Sequence, residues 1–278
     1  MTFHEYCIAQ KDRVKQQFRK IMGYNLNLDN PATISEKLNW LKIYDSTFLK
    51  TMCSDKLMVR EYVKDKIGED LFLPVLGVYD SFSKIDFSKL PKDYVIKCNH
   101  GSGMNIIVKD GKLDKAVAKQ KIDKWMQTDY LHLLEFSYKP IKKKIFIEQY
   151  ANNVGQSSLT DYKFSCFNGN PKICQVINDR FTNKLHFNYY DMNFNALTEI
   201  SRNDHPANYS SLDKKPKNWN LMIEYATKLS EDFKFVRIDF YEIENKIYIS
   251  ELTFYPNGGY IKYKNKNTDL ELGKLLKL

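Results

Sequence analysis

Helical patterns in the first third of the chain and mainly antiparallel strand patterns after it predict an α+β fold of interlocked lobes. Three observations carry this expectation: amphipathic helical periodicity up to residue 67, short apolar strands from residue 71 onward, and hairpin turns late in the chain. The 278 residues, 43 % of them hydrophobic, suffice for two or three packed lobes around a sizeable core.

Residues 7–22 form an amphipathic basic stretch, and Thr33-Ile-Ser-Glu36 has the spacing of a capping box before Leu38-Asn-Trp-Leu41. Asp55 to Ile67 reads as a further amphipathic helix, and residues 71–79 turn extended. Strands at Tyr94–Cys98 and Asn105–Lys109 flank a Gly-containing turn, a helical pattern runs from about Leu113 to Thr128, and Ile145–Tyr150 is a short apolar strand. Phe164–Phe167 and Ile173–Ile177 are joined by Asn168-Gly169-Asn170, a hairpin turn. Residues 201–217 are polar and contain proline, as a loop does, and residues 218–231 read as one helix. The expected division is 1–90, mainly helical; 91–150, a small α+β lobe; and 151–278, a larger α+β lobe.

The formal charge of +9 favours polyanionic partners without selecting one. No apolar run reaches the roughly 18 residues needed to span a bilayer, and the first residues lack the apolar stretch of a signal peptide, so a cytoplasmic location is expected. Five cysteines, odd in number and without C-x-x-C spacing, read as buried thiols of a reducing compartment.

Phe235 to Thr253 reads as a β-hairpin turning at Glu244-Asn245-Lys246. Asp239 and Glu251 lie six residues on either side of Asn245, which sets their Cβ atoms on one face roughly 5 Å apart, where like charges repel unless neutralised. Mg²⁺ held by one or two carboxylates and completed by phosphate oxygens is one neutraliser, with Arg237 on the same face as a cation and Thr253 as a small oxygen ligand for the metal. A solvated hairpin whose acids pair with Arg237 or Lys246 is the other reading. Lys97 precedes Gly101-Ser102-Gly103, a turn whose backbone N–H groups can approach an anion; on this segment alone, a plain hairpin turn with a solvent-facing lysine is the default reading. Glu148 ends an apolar strand, which suits either an edge that reads a purine and ribose or a core strand with a capped end. Asp161-Tyr-Lys163 and Asp179-Arg180-Phe181 have surface ion pairs as their default explanation, and the lysine runs at 142–144 and 214–217 that of solvated faces.

The order of these pieces resembles the ATP-grasp superfamily, and within it the TupA-like branch associated with teichuronopeptide and capsular polysaccharide synthesis. The resemblance runs from Ser35-Glu-Lys-Leu to the C-terminus. It is carried by Ser54-Asp-Lys-Leu-Met-Val-Arg-Glu-Tyr-Val63, Val95-Ile-Lys-Cys-Asn-His-Gly-Ser-Gly103, Asp161-Tyr-Lys-Phe-Ser-Cys-Phe-Asn-Gly169, Val236-Arg-Ile-Asp-Phe-Tyr241 and Ser250-Glu-Leu-Thr-Phe-Tyr-Pro-Asn-Gly-Gly259.

The resemblance implies a nucleotide grasped between two lobes, with ATP and Mg²⁺ as cofactors. Lys56 and Lys97 are implied as phosphate-binding lysines, Gly101, Ser102 and Gly103 as a mobile loop over the triphosphate, Glu148, Gln149 and Tyr150 as the adenine hinge, and Lys163 as a further phosphate or ribose contact. Arg237 is implied to stabilise the transferred phosphoryl group, and Asp239 and Glu251 to hold the metal. Thr253 stands where many ATP-grasp ligases have asparagine, so a second metal's coordination departs from the pattern. The implied activity is an ATP-dependent carboxylate–amine ligase that joins an amino acid to a sugar acid or glycan carboxylate. A glycosyltransferase, for which no Asp-x-Asp-like motif is found, and an ATP-dependent sugar phosphotransferase are the alternatives. Arg180, His186, Arg202 and Asn257 are candidate substrate contacts. Nucleic acid is not an expected partner; peripheral association with membrane polysaccharide machinery is compatible with the chain.

Overall fold

The computed structural model describes residues 1–129, 131–151, 159–178, 185–210 and 213–278. Five helices lead: α1 (Phe3–Ala9), α2 (Lys11–Met22), α3 (Ile34–Tyr44), α4 (Phe48–Ser54) and α5 (Val59–Ile67). The expected single helix over 7–22 is split at Gln10, because a Thr2/Glu5 capping box starts α1 early and the Gln10 N–H closes it onto Cys7. The Thr33/Glu36 box forms as its spacing predicts and opens α3. The run expected from Asp55 begins only at Val59, because the Asp55 carboxylate accepts the N–H groups of Leu57 and Met58 and holds a turn between α4 and α5.

Four antiparallel strands make the smaller sheet: β1 (Val75–Tyr79), β2 (Tyr94–Cys98), β3 (Asn105–Val108) and β4 (Ile145–Gln149), in the order β1-β4-β2-β3. Helix α6 (Lys115–Gln127) packs on β2, with Ile122 against Ile96, Cys98 and Ile147 in a core separate from that of the larger sheet. The sheet takes β1 from before residue 90, the boundary expected from sequence, because Val75–Tyr79 finds its hydrogen-bonding partner in β4.

The larger sheet has the order β7-β6-β5-β8-β9, all antiparallel, from β5 (Asp161–Phe167), β6 (Asn170–Asn178), β7 (His186–Tyr190), β8 (Phe235–Ile243) and β9 (Lys246–Thr253). Helix α7 (Trp219–Ser230) covers one face across β6, β5 and β8, with Trp219 against Phe164 at 4.9 Å between ring centroids. That leaves the opposite face of this sheet to the site. Helix α8 (Lys266–Lys274) docks on α3, and the left-handed residues Asn257 and Gly258 turn the chain back after β9.

Both hairpins turn on two residues in place of three. Asn168 and Gly169 have positive φ, as do Glu244 and Asn245, which is the twist a two-residue turn needs. Ile243 therefore pairs with Lys246, and a bulge at Ser250 supplies the extra residue that brings Asp239 opposite Glu251. The expected pairing holds because the bulge compensates for the shorter turn. All five cysteines are buried free thiols.

Candidate functional site

Strand alternation lays a polar row across the open face of the larger sheet. Glu251 (β9) faces Asp239 (β8), Asp239 faces Lys163 (β5), Lys163 faces Gln175 (β6) and Gln175 faces Tyr189 (β7). One step along, Thr253 faces Arg237 and Arg237 faces Ser165.

Asp239 is the hub and is fully buried. Its Oδ1 accepts from Arg237 Nε at 2.6 Å and its Oδ2 from Arg237 Nη2 at 2.7 Å, and Oδ2 also takes Lys163 Nζ. Lys163 reaches Asp161 at 3.4 Å as well. Glu251 Oε1 accepts from Arg237 Nη2 at 3.3 Å and from the Thr253 hydroxyl at 3.2 Å, while Oε2 faces Lys56 Nζ at 3.5 Å. Burial alone raises the Glu251 carboxyl, but the fields of Lys56, Lys163 and Arg237 overcome it and hold the group down at about 2. Arg237 is driven the same way: burial opposes its charge, and Asp239 and Glu251 more than restore it. Arg237 does pair with the acids, as the plainer reading of the hairpin has it. The cluster, however, is centred on buried groups, Asp239, Asp161 and Lys163, with Arg237, Lys56 and Glu251 only partly exposed.

Lys56 links three parts of the chain. Its N–H donates to the Asn99 carbonyl at 3.2 Å at the end of β2, Asn99 Nδ2 holds the neighbouring Asp55 at 2.9 Å, and its ammonium faces Glu251 on β9. On the smaller sheet, the Lys97 ammonium pairs with Glu148 Oε2, and Arg60 Nη2 approaches Glu148 Oε1 at 3.3 Å.

β4 is an interior strand between β1 and β2, and Glu148 is a buried counter-ion for Lys97 and Arg60, so the strand offers no free edge. The Gln149 N–H is spent on Pro74, and Tyr150, stacked under Lys109 at 4.7 Å, is the first residue beyond the strand. In the turn after β2, Ser102 and Gly103 are exposed, Gly101 is buried, and Gly103 has φ +73, where a side chain is strained. His100 is buried with Nε2 at 3.0 Å from the Trp125 carbonyl, and burial lowers its pKa.

Asp239 Oδ1 and Glu251 Oε2 each retain lone pairs after these bonds, so the pair fits a shared hard cation completed by phosphate and water oxygens. The Thr253 hydroxyl donates to Glu251 and accepts from Arg237 Nη2 at 3.1 Å, which orders the pair. Among the described residues, no group of three or more His, Cys, Asp or Glu side chains forms a cage that would hold a metal without such a ligand.

Of the candidate substrate contacts, Arg202 borders a cavity that Arg237 also lines. His186 points to the other face of β7, the face of Asn188 and Tyr190 rather than of Tyr189, and lies 3.2 Å from Asp213. Asp213 also receives Asn188 Nδ2 and the Tyr190 hydroxyl, each at 2.9 Å, so His186 belongs to a loop anchor turned away from the row. Asn257 is exposed at the left-handed turn after β9, and Arg180 lies outside the described residues.

Sequence reasoning missed a second charged pair. Lys42 on α3 is buried with its ammonium donating to Asn39 Oδ1 at 3.0 Å, to the Leu133 carbonyl at 2.9 Å and to the Gly258 carbonyl. Burial lowers Lys42 and raises Glu135, each against the other's field. Lysine and glutamate are ordinary helix and loop residues, and only the three-dimensional contacts, 91 and 216 residues apart in sequence for the two carbonyls, mark this pair.

The family described as TupA-like ATPgrasp matches residues 36–277. Among curated protein sequences, none matches significantly. Among solved structures, the chain is similar to the D-alanine–D-alanine ligase of Helicobacter pylori (16 % identity, 88 % of this chain and 67 % of that one, TM-score 0.47). It is also similar to the D-alanine–D-alanine ligase of Bacillus anthracis complexed with ATP (14 %, 73 % and 54 %, 0.42) and to the ATP-grasp ligase PsnB complexed with minimal precursor, Mg and ADP (9 %, 85 % and 61 %, 0.41). The chain spans between 54 % and 67 % of the length of these proteins.

Proposed function

The chain belongs to the TupA-like ATP-grasp family, and from that premise we propose that it is an ATP-dependent carboxylate–amine ligase acting through an acyl phosphate. The carrying observation is the Asp239–Glu251 pair, held face to face and ringed by Lys163, Arg237 and Lys56. Polyphosphate charge, a divalent cation and a phosphoryl group in transit all need such a cluster.

One substrate's carboxylate oxygen attacks the γ-phosphorus of ATP and ADP leaves; an amine then attacks the acyl carbon, phosphate leaves, and the amine's surplus proton passes to solvent. No side-chain nucleophile is needed. Lys56 and Lys97 bind phosphate oxygens, the Gly101–Gly103 turn covers them, and Tyr150 borders the adenine. Bringing the phosphates in replaces Glu148 as the partner of Lys97 and Glu251 as the partner of Lys56. Arg237 stabilises the transferring group. Mg²⁺ at Asp239 and Glu251 would offset charge on the β- and γ-phosphates and fix their orientation.

The substrates are an amino acid and a sugar acid or glycan-linked carboxylate, in cytoplasmic steps of surface (capsular) polysaccharide synthesis, and the +9 charge agrees with an acidic acceptor. The test is a thermal shift with ATP, ADP and UDP-sugars, with and without Mg²⁺. Stabilisation by ATP with Mg²⁺ that disappears in Lys97→Ala is expected, followed by ADP release that needs both an acid and an amine. Stabilisation by UDP-sugars alone would replace this reading with glycosyl transfer; ADP release with a sugar and no amine would replace it with phosphotransfer.

A further inference from the structure

Arg237 and Arg202 are built alike. Each holds the aspartate two residues on through Nε and Nη2: Arg237 with Asp239, Arg202 with Asp204. Among the described residues, neither Nη1 has a protein acceptor. Both arginines line the same cavity, of about 60 Å³, which α3 and the turn after β9 border against the open face of the larger sheet.

Between them the wall is mostly apolar, with Leu38 and Ile173, and the polar row enters it at Gln175 and Tyr189. Gln175 Nε2 donates to the Tyr189 hydroxyl at 2.7 Å, which leaves the phenolic proton free to donate and the Gln175 carbonyl oxygen free to accept. Arg202 is 6 % exposed and stacks over Phe187 at 5.4 Å, so its guanidinium is held in place before any ligand arrives. A mostly apolar lining with a few converging polar groups is how small-molecule sites are lined, and at about 60 Å³, below the roughly 300–1,000 Å³ of drug-sized sites, this one suits only a small acid. Two guanidiniums, each with its Nη1 still free to donate, select negative charge at both ends.

We infer that this cavity is the carboxylate-substrate subsite, and that it takes a small acid, or the end of a larger one, with a second anionic group. The reacting carboxylate lies toward Arg237 and the metal-binding pair; the second anion, a carboxylate or a phosphate, meets Arg202 and the Tyr189 hydroxyl. This rests on the ligase reading above and adds the substrate's chemical class.

The test measures binding of pentanoate, glutarate and 3-phosphonopropionate to the full chain with Mg²⁺ and a non-hydrolysable ATP analogue, by calorimetry. Wild type should prefer at least one dianion over pentanoate by about 10- to 100-fold, the range of one charge-assisted hydrogen bond. The better of the two dianions identifies the second group as carboxylate or phosphate. Arg202→Gln should abolish the preference. Asp204→Asn, at a more exposed position, removes the competing carboxylate and should strengthen it, and this variant decides the matter should Arg202→Gln fail to fold. Equal affinity for all three acids, no binding of any at millimolar concentration, or a preference that survives Arg202→Gln overturns the inference. Loss of analogue binding with the dianion preference intact would sink the ligase reading and leave the cavity's assignment standing.

Discussion

Asp239→Asn should lower the melting temperature of the ligand-free protein far more than Glu251→Gln, although both acids belong to one site. Asp239 is fully buried and holds Arg237 by two bonds of 2.6 and 2.7 Å together with Lys163. Removing its charge leaves two cations competing for the remaining carboxylates. Breaking a buried pair from one side costs about 3–5 kcal/mol. For 278 residues at about 2.1 cal/mol/K each, the unfolding entropy is about 0.58 kcal/mol/K, so the melting temperature should fall by about 5–9 °C. Glu251 is one quarter exposed and its ionic contacts are longer, 3.3 and 3.5 Å, so its amide should cost about 1 kcal/mol, or about 2 °C. Differential scanning calorimetry measures both. ATP with Mg²⁺ at 100 times its dissociation constant adds about 2.7 kcal/mol to wild type, or about 5 °C, and neither variant should show that gain. An Asp239→Asn protein melting within about 2 °C of wild type would refute the charge-hub argument.

Three further outcomes follow from single positions. Glu251 has its folded pKa depressed, so its contribution is complete above the unfolded value near 4.5 and is lost as pH falls toward about 2. Discounted for its partial exposure, this is about 1–2 kcal/mol; melting curves of wild type and Glu251→Gln should converge between pH 5 and 2, and a constant gap would reject it. Gly103 has φ +73 with open space around its Cβ position, so Gly103→Ala meets backbone strain of about 1–2 kcal/mol and no clash. Nucleotide affinity should fall by up to about tenfold by titration calorimetry, and unchanged affinity would remove the turn from the phosphate site. At Gly273 an added Cβ would come within 2.0 Å of the Ala32 carbonyl oxygen, so Gly273→Ala should undock α8 from α3, cost about 3 kcal/mol and expose the C-terminus to limited proteolysis; a wild-type digestion pattern would argue otherwise.

What could be read from sequence follows the range of each interaction. The strand at Tyr94–Cys98 and the Thr33 capping box were legible because alternation and cap chemistry act within a few residues. The Asp239–Glu251 pairing was legible for the same reason, although the two-residue turn and the bulge at Ser250 were not, since a bulge leaves no local pattern. β7 and α8 passed unnoticed: His186–Tyr190 alternates for only four residues before Tyr190 breaks the pattern, and in α8 the opening Lys-Asn-Thr-Asp run is polar. Glu148 looked like a strand end because its counter-ions, Lys97 and Arg60, lie 51 and 88 residues away.

The same separation hides from the sequence that Asp239 also holds the fold together. The metal-ligand role proposed for Asp239 rests on the hairpin's local pattern, whereas its structural role depends on Lys163, 76 residues distant. In the folded chain the two roles meet in one carboxylate: the cations that would grip phosphate are, without it, the counter-ions that make Asp239 and Glu251 tolerable inside the protein. On the proposed function, nucleotide binding would therefore exchange partners within a charge cluster that is already formed. It follows that stability and nucleotide affinity should be coupled at Lys163 and Arg237, and that substitutions there will not separate the two cleanly.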